Sequence, residues 1–351
     1  MNKKYLIIAA LAMVMIGLGI FVVLCVLKKD KEVMDSKTSF KKDSFPLVTL
    51  SNGVIEVDVF LPDEGNGYYR GSRFDWSGMM DQVRFNGHTF FHDHNMEIYE
   101  PSFGRGTAEE FSMGICGLPG PLGYEDAETG EGFLKIGVGV LEKDSNDEIY
   151  RFGKTYKILD SGNWQIKHGK DQIEFIHEIK NFNGWGYRYI KRVLLIEGRP
   201  ELLIDRRLEN IGTKTIETVH YGHNFAIVDN APIGPDYTLS FPFDPKVLEG
   251  KLRDYIKLQD KKIVFSDVIP EDEKIWAAME GFKQTDSDNS FVIENKKFGV
   301  GMRIEGDLPM QRFHLYIEKT MLCPEPFVLL IVEPGKAVNW QTKYSFYEFG
   351  I

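Results

Sequence analysis

Cysteine is scarce in this chain of 351 residues, with three in all, and no two stand in a CxxC spacing. A thiolate zinc site is thereby excluded, and only Cys116 and Cys323 remain as a pair that could bridge outside the apolar N-terminus, which holds Cys25. HExxH, a phosphate-cradling Gly-rich loop and a GxSxG elbow are all missing, which removes the zincin, P-loop and serine-hydrolase chemistries. Sustained helical periodicity is lacking too, and no segment repeats at a fixed interval, so bundles and solenoids are set aside. The net charge of −10 argues against a nucleic-acid partner. No cofactor motif is present.

What the sequence has begins with one long apolar run. Tyr5–Leu27 carries no charge. At ~1.5 Å per residue it is long enough for a ~30 Å hydrocarbon core. It exceeds the apolar core of a cleaved signal peptide, and Leu24 before Cys25 departs from a lipoprotein cleavage box. We read residues 1–4 as a short tail, 5–27 as a transmembrane signal anchor, and 28–45, rich in lysine and serine, as a flexible tether. Lysines flank the run on both sides, so charge leaves its orientation open; the large domain is expected outside the cytoplasm.

Residues 46–351 have the texture of strands. Runs such as VTLSNGVIEVDVF and YRYIKRVLLIEG alternate apolar and polar side chains, and Asn52-Gly53 and Asn86-Gly87 mark tight hairpins. Many strand-length segments with regular turns predict an all-β fold, a large antiparallel β-sandwich. Only short stretches such as Pro245–Leu258 offer a helix. The segment from His92 to Glu131, loaded with Gly, Pro, acids and aromatics, breaks the rhythm. Loops longer than about 12–15 residues are usually functional or disordered, and Phe103, Phe111, Ile115 and Leu118 favour a packed loop forming one wall of a cleft.

The stretch HYGHNFAIVD, His220–Asp229, is the centre of chemical interest. His220 and His223 are three apart, so on one continuous strand they face opposite sides, unless Gly222 introduces a bulge. One of them can point into a cleft with Asn224 beside it; a hydrogen-bonded structural histidine is the alternative. Arg70, Arg73, Asp75 and Trp76 in YYRGSRFDWSG offer planar donors and an aromatic face suited to a sugar ring, or else an ordinary ion pair. Glu109 and Glu110 lie in the long loop. Glu318, on a strand pattern, is costly if buried without a partner. Glu325 and Glu333, each followed by proline, read as turn residues. His92, His94 and Glu97 miss the cupin spacing, and no metal site is assigned.

Four stretches together resemble the galactose mutarotase (aldose 1-epimerase) superfamily, whose fold is a large antiparallel β-supersandwich. They are GMMDQVRFNGHTFF, LLIDRRLENIGTKTIETVHYGHNF, LYIEK and VEPGKAVNWQTKYSF. The resemblance covers roughly residues 46–351. In that family a glutamate takes the proton of the anomeric hydroxyl while a histidine protonates the ring oxygen, so the ring opens and recloses as the other anomer. The resemblance implies Glu318 as base and His223 as acid. It implies a substrate-binding role for Arg73, which we extend to Asp75, Trp76, Glu110 and Asn224 as binding candidates. The family's other, early histidine has no clean counterpart; His92 and His94 lie nearby. The expected partner is a sugar or oligosaccharide, with the membrane engaged through the N-terminal helix. Two rivals stand beside epimerisation: a lyase or hydrolase on a larger saccharide, and a non-catalytic carbohydrate-binding envelope protein.

Overall fold

The alternation of apolar and polar side chains from Leu47 onward resolves into antiparallel strands in a computed structural model, which describes residues 44–92, 100–115, 117–145 and 148–350. Four strands, β1 (Leu47–Ser51), β2 (Ile55–Phe60), β3 (Met80–Phe85) and β4 (His88–Thr89), form a sheet in that order. Asn52 closes the first hairpin, its Oδ1 accepting the N–H groups of Val54 and Ile55. Asn86 and Gly87, both left-handed at φ 48° and 83°, close the hairpin between β3 and β4, as the Asn-Gly pair predicts.

Two large sheets carry the rest. One has six strands in the order β15 (Lys246–Gly250), β18 (Ile275–Glu280), β21 (Arg312–Glu318), β22 (Met321–Val332), β13 (Ile216–Asn224) and β5 (Thr107–Phe111). The other has ten, in the order β16 (Ile256–Gln259), β17 (Lys262–Phe265), β14 (Tyr237–Ser240), β19 (Ser290–Asn295), β20 (Val300–Gly306), β23 (Ala337–Glu348), β12 (Glu201–Asn210), β11 (Trp185–Leu195), β10 (Gln172–Phe182) and β9 (Asn163–His168). A small sheet of β6 (Gly132–Lys135), β7 (Gly139–Glu142) and β8 (Ile158–Asp160) completes the set.

The two large sheets face each other over one core. Phe313, Leu315, Ile317 and Leu322 of the six-stranded sheet belong to the same buried cluster as Val193, Ile204, Leu239 and Phe346 of the ten-stranded sheet. Because side chains alternate, the six-stranded sheet has an inner face turned to this core and an outer face turned away from it. Every site residue below is sorted by that parity.

Several expectations are revised. Pro245–Leu258 forms β15 and β16, joined by a turn with Gly250 at φ 84°; pairing with β18 and β17 prevails over its weak helical pattern. A 3₁₀ turn, Asp286–Asp288, lies between β18 and β19. The segment after His92 contains strand β5, whose backbone bonds the edge of β13. Its apolar residues are divided: Met113, Ile115 and Leu118 pack on Val219, Tyr221 and Phe327, whereas Phe103 is 49% exposed. No helix among the described residues is long and apolar enough to cross a membrane; the run Tyr5–Leu27 lies outside them, as do His94, Glu97 and Cys116.

Candidate functional site

Strands β13 and β22 are neighbours, yet their ladder runs only from the Ile216–Val332 pair to the Tyr221–Phe327 pair. It closes again beyond a gap, where the Leu322 N–H donates to the Ala226 carbonyl at 2.9 Å. By period two, the backbone nitrogens of residues 324 and 326 aim at β13 as well. Both are prolines, which have no N–H to give. Asn224 Nδ2 fills part of the gap by donating to the Pro324 carbonyl at 3.0 Å. On its other side β22 keeps an unbroken ladder with β21. Pro324 and Pro326 thus open one seam of the sheet, and His223 and Glu325 stand at it.

Parity puts both on the outer face. His223 Nε2 lies 3.1 Å from Glu325 Oε1, with the two side chains only 8% and 4% exposed. Phe225 stacks on the imidazole at 4.2 Å, and Phe74 and Tyr316 present their rings to it at 5.9 Å. This dry setting disfavours charge on either group. Burial pushes the Glu325 carboxyl up to about 8, with Glu110 adding to the rise and Arg73 opposing it. Burial, and then Arg73, hold the His223 imidazole well below its ordinary range. At neutral pH the pair is therefore uncharged, with its one mobile proton on the carboxyl.

Arg73 is more open than His223 and Glu325, its side chain 24% exposed. Its guanidinium lies between the rings of Phe74 and Phe152, 4.4 and 4.6 Å from their centroids. Nε donates to Glu110 Oε2 at 2.8 Å and Nη2 to the Tyr221 hydroxyl at 2.9 Å, which leaves Nη1 for a ligand. Glu110 is fixed in turn by Lys135 Nζ at 2.9 Å and the Tyr221 hydroxyl at 2.6 Å. Burial would raise its carboxyl, but Lys135 and Arg73 outweigh that and hold it low. The Tyr69 hydroxyl accepts the N–H groups of Arg73 and Phe74, so the loop carrying them is anchored before any ligand arrives.

Glu109 shows what one step along the chain does. Opposite Gly222 on β5, it faces inward while Glu110 faces outward. Arg206 meets it through Nε at 2.8 Å and through Nη2, Lys191 Nζ at 2.9 Å and His220 Nε2 at 3.1 Å. Against the cost of burial, Arg206, Lys191 and His220 hold this carboxyl well below the usual range. Burial keeps His220 neutral at about 4, and its Nδ1 accepts from Trp340 Nε1. A cavity of about 30 Å³ lined by Glu109, Arg206, His220, Gly222 and Asn224 lies on this inner side. It has room for about one water molecule, not for a sugar.

The sequence-derived candidates therefore separate. His223, Arg73 and Glu110 come together on the outer face. Asp75 is buried between the sheets, bonded to Ser77 and 3.3 Å from Lys191. Trp76 is 2% exposed, donates to the Gly71 carbonyl and stacks on Trp164. Asn224 faces inward, where it accepts from the Tyr344 hydroxyl at 2.7 Å. Glu318 is on the outer face but beyond the pair: the Tyr316 hydroxyl donates to it and Lys274 lies 3.5 Å away. Glu325 is the carboxyl that stands beside His223. Its flanking prolines suggest a turn, yet it lies within a strand of twelve residues. The legible signal was the parity it shares with Cys323 and Phe327. Among the described residues no group of three His, Cys, Asp or Glu side chains is arranged to hold a metal ion.

No protein-family model matches the chain, and no curated protein matches it. Solved structures share its architecture at low identity. The Slr1438 protein from Synechocystis sp. PCC 6803 superposes with a TM-score of 0.53 at 13% identity, over 89% of this chain and 99% of that one. A galactose mutarotase related enzyme from Lactobacillus acidophilus gives 0.51 at 13%, over 87% and 100%. A galactose mutarotase-like protein from Clostridium acetobutylicum gives 0.51 at 11%, over 86% and 95%. At such identities the likeness is one of fold: the chain has the galactose mutarotase-like β-sandwich.

Proposed function

We propose that this chain is a carbohydrate-active protein that interconverts the anomers of an aldose or a reducing saccharide by acid/base catalysis, with His223 and Glu325 as the proton-transferring pair. The observation that carries this reading is the 3.1 Å approach of the two side chains beside Arg73. One proton moved from the neutral carboxyl to the imidazole gives a carboxylate and an imidazolium without changing the charge of the site. The carboxylate accepts the proton of the anomeric hydroxyl; the imidazolium gives its proton to the ring oxygen. The bond from the anomeric carbon to the ring oxygen breaks as the aldehyde forms. Rotation and the reverse steps deliver the other anomer and return both protons. Arg73 Nη1 is the fixed donor for a sugar oxygen. Glu325 is preferred because it stands 3.1 Å from His223, whereas Glu318, the base implied by resemblance, is engaged by Tyr316 and Lys274.

NMR of anomeric protons tests the reading, with freshly dissolved α-glucose, α-galactose and a panel of oligosaccharides. The purified chain should speed anomer equilibration, and Glu325→Gln and His223→Gln should each slow it by about 10²–10⁴-fold. Glu318→Gln should stay within a few-fold of the parent. The reverse ranking returns the base to Glu318. New reducing ends or unsaturated products would point to a hydrolase or lyase. Line broadening without exchange would leave a carbohydrate-binding protein. That outcome is the second reading, favoured by the near-complete burial of the pair.

We also propose, from Tyr5–Leu27, that a single helix anchors the chain with its β domain outside the cytoplasm. Retention in membranes after alkaline carbonate, and cleavage of the β domain by protease added to intact cells, would support this; release into the wash would end it.

A further inference from the structure

A buried titratable group at the site, His314, has no task in the chemistry above. His314 is fully buried, between the ring of Trp276 at 5.1 Å and that of Phe327 at 4.6 Å. Neither of its ring nitrogens has a hydrogen-bond partner. A neutral imidazole always has one N–H to give and one lone pair to fill, and two orphaned sites on one buried ring call for an explanation. The register supplies it. His314 is the direct partner of Glu325 across β21 and β22, on the same outer face; such side chains start with Cβ atoms about 4.5–5.5 Å apart. Its partner on β18 is Ala278, which has no polar group to offer. Glu325 therefore has an imidazole on each flank, His223 from β13 and His314 from β21, and it faces the first.

We propose that His314 is a positioning residue for Glu325, taking up the carboxyl when a saccharide engages His223 Nε2 and Glu325 must turn from it. The inference rests on the function proposed above, but its structural core does not. A carboxyl deprived of His223 in this dry setting loses its partner unless another is within a side-chain rotation. His314 is the group the sheet places there. Trp276 and Phe327 cover the imidazole, so it acts on Glu325 and not on the ligand.

The test uses the full chain labelled with ¹⁵N-histidine, with ring nitrogens followed by long-range ¹H–¹⁵N correlation and His314 assigned through His314→Phe. Removing the competing imidazole by His223→Phe, or by His223→Leu should the first fail to fold, is expected to move the His314 ring resonances to hydrogen-bonded positions. Adding Glu325→Met to either variant should abolish that change. Unmoved His314 resonances in both His223 variants, or a change that survives Glu325→Met, would overturn the proposal. Where anomer exchange is observed, His314→Phe should lower kcat by up to about 10²-fold with KM nearly unchanged, and His314→Gln should recover part of it. A rise in KM at unchanged kcat would instead make His314 a ligand contact. A chain that exchanges no sugar defeats the proposed function while leaving the ring-nitrogen result standing.

Discussion

Replacing Glu325 by glutamine should make the protein less sensitive to alkali, and by an amount the site itself sets. The folded carboxyl titrates at about 8 against an ordinary 4.5, because burial disfavours its charged form. For a group raised in this way, its stabilising contribution is complete below about 4.5 and is lost as pH rises through about 8. At roughly 1.4 kcal/mol per pH unit the full span is about 5 kcal/mol. Glutamine has the shape of the protonated acid and cannot ionise, so the variant keeps that contribution. His177, His220 and His314, held down to about 3, 4 and 4 mainly by burial, behave oppositely. Their stability is present above about 6.5 and lost as pH falls. They are common to both proteins and cancel in the difference. Urea unfolding of parent and variant from pH 4.5 to 9.5 should show the variant's relative stability climbing by several kcal/mol and levelling off above about 8. Parallel curves over this range would refute the account of a buried, neutral carboxyl.

Three further outcomes follow from the geometry. Arg73→Lys loses the fork that meets Glu110 and Tyr221 together and the planar fit between two phenylalanines; saccharide affinity, read by titration calorimetry, should fall about 10-fold or more while the melting temperature changes little. Glu109→Gln leaves Arg206 and Lys191 facing an uncharged side chain between the sheets, and denaturant unfolding should show a loss of about 3–5 kcal/mol. Gly222→Ala should be neutral or stabilising by up to about 1 kcal/mol: a methyl there meets nothing nearer than Asn224 Nδ2 at 3.6 Å and points toward the inner cavity. A loss above about 1 kcal/mol would mean that a water held there is worth more than the methyl.

Alternation made the strands legible, because a sheet buried on one face writes its period into the chain. Asn52-Gly53 and Asn86-Gly87 located their hairpins for the same local reason, the left-handed backbone such turns need. Strand β5 escaped notice because TAEEF lies among glycines and prolines, and two adjacent glutamates look like surface. Both are buried. Their partners, Arg73, Lys135, Lys191 and Arg206, come from distant parts of the chain, and no local pattern announces such pairing. The same limit hid the carboxyl that lies beside His223. The resemblance pointed to His223, whereas the approach of Glu325 to it becomes visible only once β13 is laid beside β22. Asp75 and Trp76 had the chemistry of a sugar platform, and packing assigned them to the interior.

The two prolines of β22 have a meaning for folding as well as for the site. Backbone pairing can knit most sheets in more than one alignment, and selection among alignments is left to side chains. Here a slip of one residue would turn the donor-less nitrogens of 324 and 326 toward β21, where the present ladder has no break, and would send Glu325 inward. The missing protons thus act as a key cut into the strand, set against the alignments that differ from the present one by a single residue. That vacancy belongs to the main chain, so it would survive replacement of every side chain around it. A chain could lose the imidazole or the carboxyl and still keep the place where a different pair could be installed.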